Sequence, residues 1–306
     1  MTNEQLIKNL HTPFGKADVV LDTDAYNEID DQFAISYMLK SSDKLNLLRI
    51  YAAPFFNEKS NGPDDGMIKS YEEILKIIDL AGKHKLINSV LYGSRMFLKD
   101  EKTPVISPAA EDLAKLAELY SPENPLYVVS IGAITNVASA LLINPAIEKN
   151  IVVVWLGGHA RHWSDTNEFN MKQDVAAARI VMSGKLPFVQ LPCKGVVSEF
   201  LVSGPELRYW LSGKNKLADY LCKNTVCAAE RYAAGCAWTR VIWDVTAVAW
   251  LLNDRDRFMK TEITDTFLPG YDFKYEMQPI KKPMCYVRQI KRDAIMTDMF
   301  NKLIGQ

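Results

Sequence analysis

Residues 18–39 read DVVLDTDAYNEIDDQFAISYML and set the fold that we predict for this chain. The apolar run at residues 18–21 predicts a buried β-strand, and the pattern over residues 30–39 predicts a helix. A polar loop joins the two elements. Because short, wholly apolar strands that alternate with helices are typical of a parallel sheet covered on both faces, this segment indicates an α/β fold.

The same order of an apolar run, a turn and a helical pattern recurs along the chain. Further strands are predicted at residues 45–53, 89–92, 126–131, 151–156 and 188–191, and helices at 63–83, from 107 onward, at 134–142, 204–211, 216–233 and 243–252. Residues 284–290 predict a late strand, antiparallel at a sheet edge. We therefore expect an open, mostly parallel sheet flanked by helices, with right-handed crossovers and a more helical part after Gly195. We expect a single domain over residues 1–306.

Composition excludes several classes of protein. The 306 residues include 36 Lys and Arg against 37 Asp and Glu, and 48 % are apolar, which argues against disorder, collagen-like repeats and coiled coil. The balanced charge predicts no nucleic-acid or membrane partner, and no apolar run is long enough to span a bilayer. The polar residues 1–16 lack a secretory h-region, so we expect a cytoplasmic protein. Five dispersed cysteines without C-x-x-C predict reduced thiols.

The loop after the first strand holds five acidic side chains within ten residues and no Lys or Arg. They are Asp22, Asp24, Glu28, Asp30 and Asp31. Ionised carboxylates held together repel and need a compensating partner. Helix N-terminal charges would explain Asp30 and Asp31 but not Asp22 and Asp24. The residues alone leave two interpretations open, a solvated acidic loop or a hard divalent cation such as Ca²⁺ or Mg²⁺ between Asp24 and Asp31.

Other polar segments also follow predicted strands, where open α/β sheets bind ligands. They are residues 54–57, 132–136 and 157–170. The chain contains neither G-x-x-x-x-G-K-[ST] nor G-x-G-x-x-G, so phosphate-loop and dinucleotide-binding functions have no support.

The segment LDTDAYNEIDDQFA, residues 21–34, resembles the N-terminal signature of the calcium-dependent nucleoside hydrolases, an Asp-x-Asp followed by Asp-Asp. Three further stretches match in order. They are SIGAITNVA at 130–138, residues 153–158 followed by NEFN at 167–170, and WDVTA at 243–247, where the family has His-Asp-x-x-Ala. The resemblance spans about residues 18–252.

This resemblance implies a metal-dependent hydrolase that cleaves the N-glycosidic bond of a ribonucleoside or related riboside by attack of a calcium-bound water. It implies Ca²⁺ ligands at Asp24, Asp31, Asp244 and the carbonyl of Ile131, with Asp24 also the general base. Asp30 would touch the ion or the sugar. Glu168 and Asn170 would bind ribose hydroxyls. Relatives of this kind are commonly homo-oligomers, dimers or tetramers.

Several positions depart from the family pattern. The loop between Asp24 and Asp30 is two residues longer. His162 falls where a ribose-binding Asn is expected, and His159 is a comparable candidate. Trp243 replaces a His that protonates the leaving base, and since an indole cannot act as an acid, stacking on the base is the alternative role. Asn57, after the second strand, is a further candidate for the sugar or base pocket.

Two other functions remain open at this point. A haloacid dehalogenase-type phosphatase also opens on strand-Asp-x-Asp, but Tyr26 stands where that superfamily has Thr or Val. A non-catalytic riboside-binding protein would explain Trp243 in place of His. The leaving group is left undetermined among purine, pyrimidine, nicotinamide and non-nucleoside ribosides.

Overall fold

The computed structural model describes residues 1–305, and most of its strands alternate with helices along the chain. The strands are β1 Ala17–Thr23, β2 Leu45–Ala52, β3 Val90–Tyr92, β4 Leu126–Ser130, β5 Ile151–Leu156, β6 Phe188–Leu191, β7 Leu201–Ser203, β8 Thr239–Val241, β9 Met259–Thr266 and β10 Ile280–Ile290. The helices are α1 Asn3–Asn9, α2 Asp30–Lys40, α3 Pro63–Leu80, α4 Pro108–Leu116, α5 Thr135–Ile143, α6 Phe169–Gln173, α7 Val175–Ser183, α8 Gly204–Leu211, α9 Lys216–Ala233, α10 Val245–Leu251 and α11 Arg292–Ile304.

Eight of the strands form one sheet in the order β3-β2-β1-β4-β5-β6-β10-β9. Every neighbouring pair is parallel except β10 with β9. The predicted α/β fold with a mostly parallel sheet is therefore confirmed. Strands β7 and β8 form a separate antiparallel pair.

Successive residues of the central strands pack into two different cores, one on each face of the sheet. In β1, Val19 and Leu21 join the core with α2 and α10, whereas Val20 faces the core with α4, α5 and α7. Residues of β5 alternate in the same way, and all six are buried. This alternation explains the continuous apolar runs, since a strand covered on both faces has no solvent side.

The strand order reverses direction between β1 and β4. From β1 the chain builds outward through β2 and β3 on one side, and through β4, β5 and β6 on the other. Crossover connections that diverge from such a point leave a crevice beyond the carboxyl ends of the strands, where α/β proteins bind ligands. The acidic loop after β1 and Ile131 after β4 both lie at this point.

The predicted late strand needs a correction. It runs from Ile280 to Ile290 and is antiparallel to β9, but it also pairs in parallel with β6, so it lies inside the sheet. The edge strand is β9, which the sequence did not predict because most of its residues are polar and only its first and last residues are buried. Helices α1, α6, α7 and α11 were also not predicted.

Among residues 1–305 we find no helix whose length and hydropathy would suit a membrane span. All five cysteines are free thiols in the described chain; three are buried, while Cys227 and Cys236 are exposed.

Candidate active site

A pocket opens at the carboxyl ends of β1, β4, β5 and β6, at the point where the strand order reverses. It is lined by Asp24, Asn27, Glu28, Asp30, Asp31, Ile131, Leu156, His159, Asn167, Glu168, Phe169, Asn170, Cys193, Lys194, Trp243 and Asp244. Most of the residues predicted as site residues meet here. The two exceptions are Asn57 and His162.

Three buried carboxylates form the closest group in the pocket. One oxygen from each of Asp30, Asp31 and Asp244 lies within 4.8 Å of the others, and none of the three side chains is more than 3 % exposed. Asp30 and Asp31 occupy the first turn of α2, and Asp244 precedes α10. The partial positive charge at the start of α2 favours carboxylates there, but it does not cancel three of them.

Asp24 joins this group from the end of β1. Its side chain is buried, and its Oδ2 atom has no hydrogen-bond partner among the described residues. A Cβ atom on Gly132 would lie 3.0 Å from Asp24 Oδ1, so any side chain at residue 132 would crowd this carboxyl. A buried, unpartnered carboxylate oxygen is costly unless a ligand satisfies it.

Burial is the main cause of the raised pKa of every carboxyl in the group. The pKa of Asp24 is raised further by Asp31 and Asp30, and that of Asp244 by Asp30, Asp31 and Asp24. Burial also raises the pKa of Asp30, and that of Asp31 to about 7. Without a cation the group therefore resists full ionisation at neutral pH.

The other two acids of the loop have partners within the protein. Asp22 accepts hydrogen bonds from Asn136 Nδ2 at 2.7 Å and from Ser130 Oγ at 2.9 Å. Glu28 is paired with Arg240 at 2.7 Å. Asp22 thus ties β1 to β4 and α5, and it does not line the pocket.

The donor set fits a hard divalent cation. Asp24, Asp30, Asp31 and Asp244 offer only oxygen atoms, which suit Ca²⁺ or Mg²⁺ better than zinc. The carbonyl of Ile131, the predicted backbone ligand, also lines the pocket and accepts a 3.2 Å hydrogen bond from Asn170 Nδ2. The unpartnered Asp24 oxygen and the crowding of the three carboxylates are the features that a cation would relieve.

Glu168 and Asn170 line the same pocket. The Glu168 carboxylate caps α6 and accepts hydrogen bonds from the backbone N–H groups of Asn170, Met171 and Gly158, each at 2.9 Å. Asn170 donates its amide nitrogen to the carbonyls of Ile131 and Leu156. Both side chains are held rigidly, and the oxygen of the Asn170 amide is left to accept from a ligand.

The structure separates the two histidines of the loop after β5. His159 is 3 % exposed and lines the pocket. His162 is exposed and does not line it; its ring lies against Gly195. The ribose contact that the resemblance assigned to His162 stays a prediction, and the pocket offers His159 instead.

Trp243 and Asn57 hold different positions relative to the pocket. Trp243 is half-buried, packs against the core beside α10 and lines the pocket. Asn57 lies behind the pocket wall, where its Nδ2 donates to Asn27 Oδ1 at 2.7 Å. Asn27, which belongs to the longer loop after Asp24, is the residue of this pair that reaches the pocket.

Sequence reasoning missed Cys193 and Lys194. Both follow β6, so the rule that pointed to the ends of the other strands would have found them if it had been extended to this loop. Asn167 and Phe169 belong to the matched NEFN stretch, but they were not assigned a role.

A protein-family model described as inosine-uridine preferring nucleoside hydrolase matches residues 65–288. The Arabidopsis thaliana protein named probable uridine nucleosidase 2 is 30 % identical over 135 residues, which is 43 % of this chain and 41 % of that protein. The match therefore spans about two fifths of the curated relative.

Solved structures share the fold over nearly the whole chain. A plant nucleoside hydrolase superposes with a TM-score of 0.73 at 17 % identity, covering 95 % of this chain and 99 % of that one. A purine-preferring ribonucleoside hydrolase from Gardnerella vaginalis gives 0.72 at 20 % identity, covering 94 % and 98 %. Because the family model covers well over half of the sequence, the chain belongs to the inosine-uridine preferring nucleoside hydrolase family.

Proposed function

We propose that this protein hydrolyses the N-glycosidic bond of a ribonucleoside or related riboside, with Ca²⁺ as its cofactor. The observation that carries the proposal is the meeting of the buried side chains of Asp24, Asp30, Asp31 and Asp244 in one pocket, which Glu168 and Asn170 also line. Family membership supports the reaction class. The names of relatives include uridine, purine and inosine, and we extend such substrates to this chain only as candidates.

Asp24, Asp31, Asp244 and the Ile131 carbonyl would hold the cation, with Asp30 at its side. When bound, a divalent cation supplies Lewis-acid chemistry that orients a water molecule and lowers its pKa. Asp24 has the unpartnered oxygen that can accept the proton of this water. Glu168 and Asn170 accept hydrogen bonds from sugar hydroxyls and so hold the anomeric carbon near Asp24.

In this reaction the water oxygen bonds to the anomeric carbon while the C–N bond breaks. The electron pair of that bond leaves on the nitrogen of the base, and the proton lost by water goes to Asp24. Trp243 offers a half-buried aromatic face on which a departing heterocycle can stack. Since an indole cannot donate this proton, a base that leaves as an anion must take its proton from another source.

A panel of ribosides tests the proposal. Chelator-treated protein would be mixed with inosine, adenosine, uridine, cytidine and nicotinamide riboside, with added Ca²⁺, with added Mg²⁺ or with neither, and free ribose would be measured as reducing sugar. We expect ribose from at least one riboside, with more release in Ca²⁺ than in Mg²⁺ and little after chelation.

Two results would contradict the proposal. Full turnover in excess chelator would refute the cation's role. Binding of ribosides without release of ribose from any of them would favour the non-catalytic binding protein instead. The phosphatase alternative gains nothing from the family match, and trapping of an aspartyl-phosphate intermediate would be needed to revive it.

A further inference from the structure

Most of the polar atoms that face the pocket are hydrogen-bond acceptors. Its lining contains six carboxylates, and the free atom of Asn170 is an oxygen. A sugar hydroxyl can both donate and accept a hydrogen bond. When the hydroxyl hydrogens of a riboside bind these acceptors, the hydroxyl oxygens still need hydrogen-bond donors from the protein. The few donors in the lining therefore decide which sugar oxygens are recognised.

His159 is a buried donor with no partner. Its Nδ1 accepts a 3.4 Å hydrogen bond from the backbone N–H of Lys194, and its Nε2 is buried without a hydrogen-bond partner among the described residues. A neutral imidazole whose Nδ1 accepts must carry its hydrogen on Nε2. Asp165 Oδ1 lies 3.8 Å from Nε2, which is too long for a hydrogen bond.

The ring is neutral near pH 7. Burial, followed by the charge of Lys194, lowers the pKa of His159 to about 4, against a smaller raising effect of Asp165. Nε2–H is thus a neutral donor and not an acid.

The backbone at His159 and at the preceding Gly158 is held in place by its neighbours. Tyr275 Oη donates to the His159 carbonyl at 2.9 Å, and Gln190 Nε2 donates to the same hydroxyl at 2.8 Å. The neighbouring Gly158 has φ +74°, and a Cβ atom there would lie 2.6 Å from the Tyr275 hydroxyl. A donor held this firmly costs little entropy when a ligand binds.

We propose that His159 is a substrate-binding residue whose Nε2–H donates a hydrogen bond to a hydroxyl oxygen of the sugar. This inference rests on the proposed function. The sugar is the part it meets because His159 is 3 % exposed and follows Gly158, whose N–H binds Glu168. Asn167 and Lys194, by contrast, line the pocket with exposed side chains.

The test compares His159→Leu, which removes the donor, with His159→Gln, whose amide nitrogen replaces it. His162→Ala is the competing candidate from the sequence, and His84→Ala is a remote exposed control. Each variant would be assayed on the best riboside of the panel and on its 2′-, 3′- and 5′-deoxy analogues. The readout is kcat/KM, or Ki for an analogue that is not turned over.

We expect His159→Leu to lower kcat/KM about tenfold on the parent riboside, the loss of one hydrogen bond, and His159→Gln to restore most of it. On the deoxy analogue that lacks the partner hydroxyl, His159→Leu and the wild type should be equal, because the bond is already absent.

Four results would overturn the inference. One is an equal loss on the parent and on every deoxy analogue, and another is a loss in His162→Ala with none in His159→Leu. The third is a wild-type protein that releases ribose from no riboside, which would overturn the proposed function along with it. An active wild type with an unaffected His159→Leu overturns this inference alone.

Discussion

Chelation of divalent cations should destabilise this protein far more at pH 8 than at pH 5. The reason is the group of buried carboxylates at Asp24, Asp30, Asp31 and Asp244. At low pH, protons neutralise the group and a cation has little to add. At high pH the carboxylates are ionised, and without a cation their burial and mutual repulsion oppose folding.

The direction and the size of this pH effect on stability follow from the pKa of Asp31. Its pKa in the folded, cation-free protein is about 7 against an ordinary value of 3.8. The folded state therefore binds more protons than the unfolded state between these values, so stability is fully present below pH 4 and is lost as the pH rises through 7. This rise in pKa corresponds to about 4 kcal/mol lost by pH 8 from Asp31 alone.

Thermal unfolding of chelator-treated protein, with and without saturating Ca²⁺, measures the effect. For a chain of this length we take about 2 °C per kcal/mol. We then expect Ca²⁺ to raise Tm by about 8 °C or more at pH 8 and by less than about 3 °C at pH 5. The cation-free protein should itself melt at a lower temperature at pH 8 than at pH 5.

Two variants separate the cation site from other buried acids. Asp31→Asn should raise the Tm of the cation-free protein at pH 8 and reduce the gain from Ca²⁺. Asp22→Asn is the matched control: Asp22 is equally buried and burial raises its pKa to about 7, but it bonds to Ser130 and Asn136 outside the pocket. Asp22→Asn should keep the full rise in Tm that Ca²⁺ produces. A Ca²⁺ effect that is equal at both pH values, or undiminished in Asp31→Asn, would refute the reasoning.

Three further variants test other parts of the site. Asp24→Asn should lower kcat at least about 100-fold, and circular dichroism should show an unchanged fold; activity near the wild-type level would remove Asp24 as the base. Trp243→Leu should raise KM about two- to tenfold for ribosides with aromatic bases and leave the Ki of D-ribose unchanged, whereas equal losses on both would contradict stacking. Gly158→Ala forces a side chain into a backbone with φ +74° and against Tyr275 Oη, so Tm should fall by about 2–6 °C; an unchanged Tm would show that the loop adapts.

The central strands β4, β5 and β6 followed from the sequence because their residues face protein on both sides. Every residue of β5 is buried, so its apolar run carries the strand signal by itself. In β9 only the first and last residues are buried, and nothing in its polar sequence marks a strand. Its place in the sheet is set by pairing with β10, a contact that a local pattern does not record.

Helices α6 and α7 were missed for a different reason. Their N-caps, Glu168 and Asp174, are acidic residues in a segment that also carries the ligand signal. Capping and ligand binding use the same residue types, and Glu168 is in position to do both, since its carboxylate caps α6 and lines the pocket. The sequence pattern could not separate the two roles.

The site was predictable where the strand ends determine it. Asp24 leaves β1 and Ile131 leaves β4, and these two positions converge because parallel strands end at one edge. Asp244 precedes α10 and was predicted only from the family resemblance. Whether His159 or His162 lines the pocket was not predictable, because a spacing of three residues in a loop does not show in which direction each side chain points. The left-handed backbone of Gly158 and its hydrogen bond to Cys193 determine which ring turns inward.

The acidic loop shows how far a local charge count can be trusted. Five acids without a nearby base in sequence indicated a cation, yet Glu28 has its base in Arg240, 212 residues away. Asp22 is stabilised by hydrogen bonds alone. The missing Lys or Arg is therefore weak support for a metal. The unpartnered oxygen of Asp24 and the three crowded carboxylates beside it are stronger support for a metal. One of these carboxylates comes from Asp244, in another part of the chain.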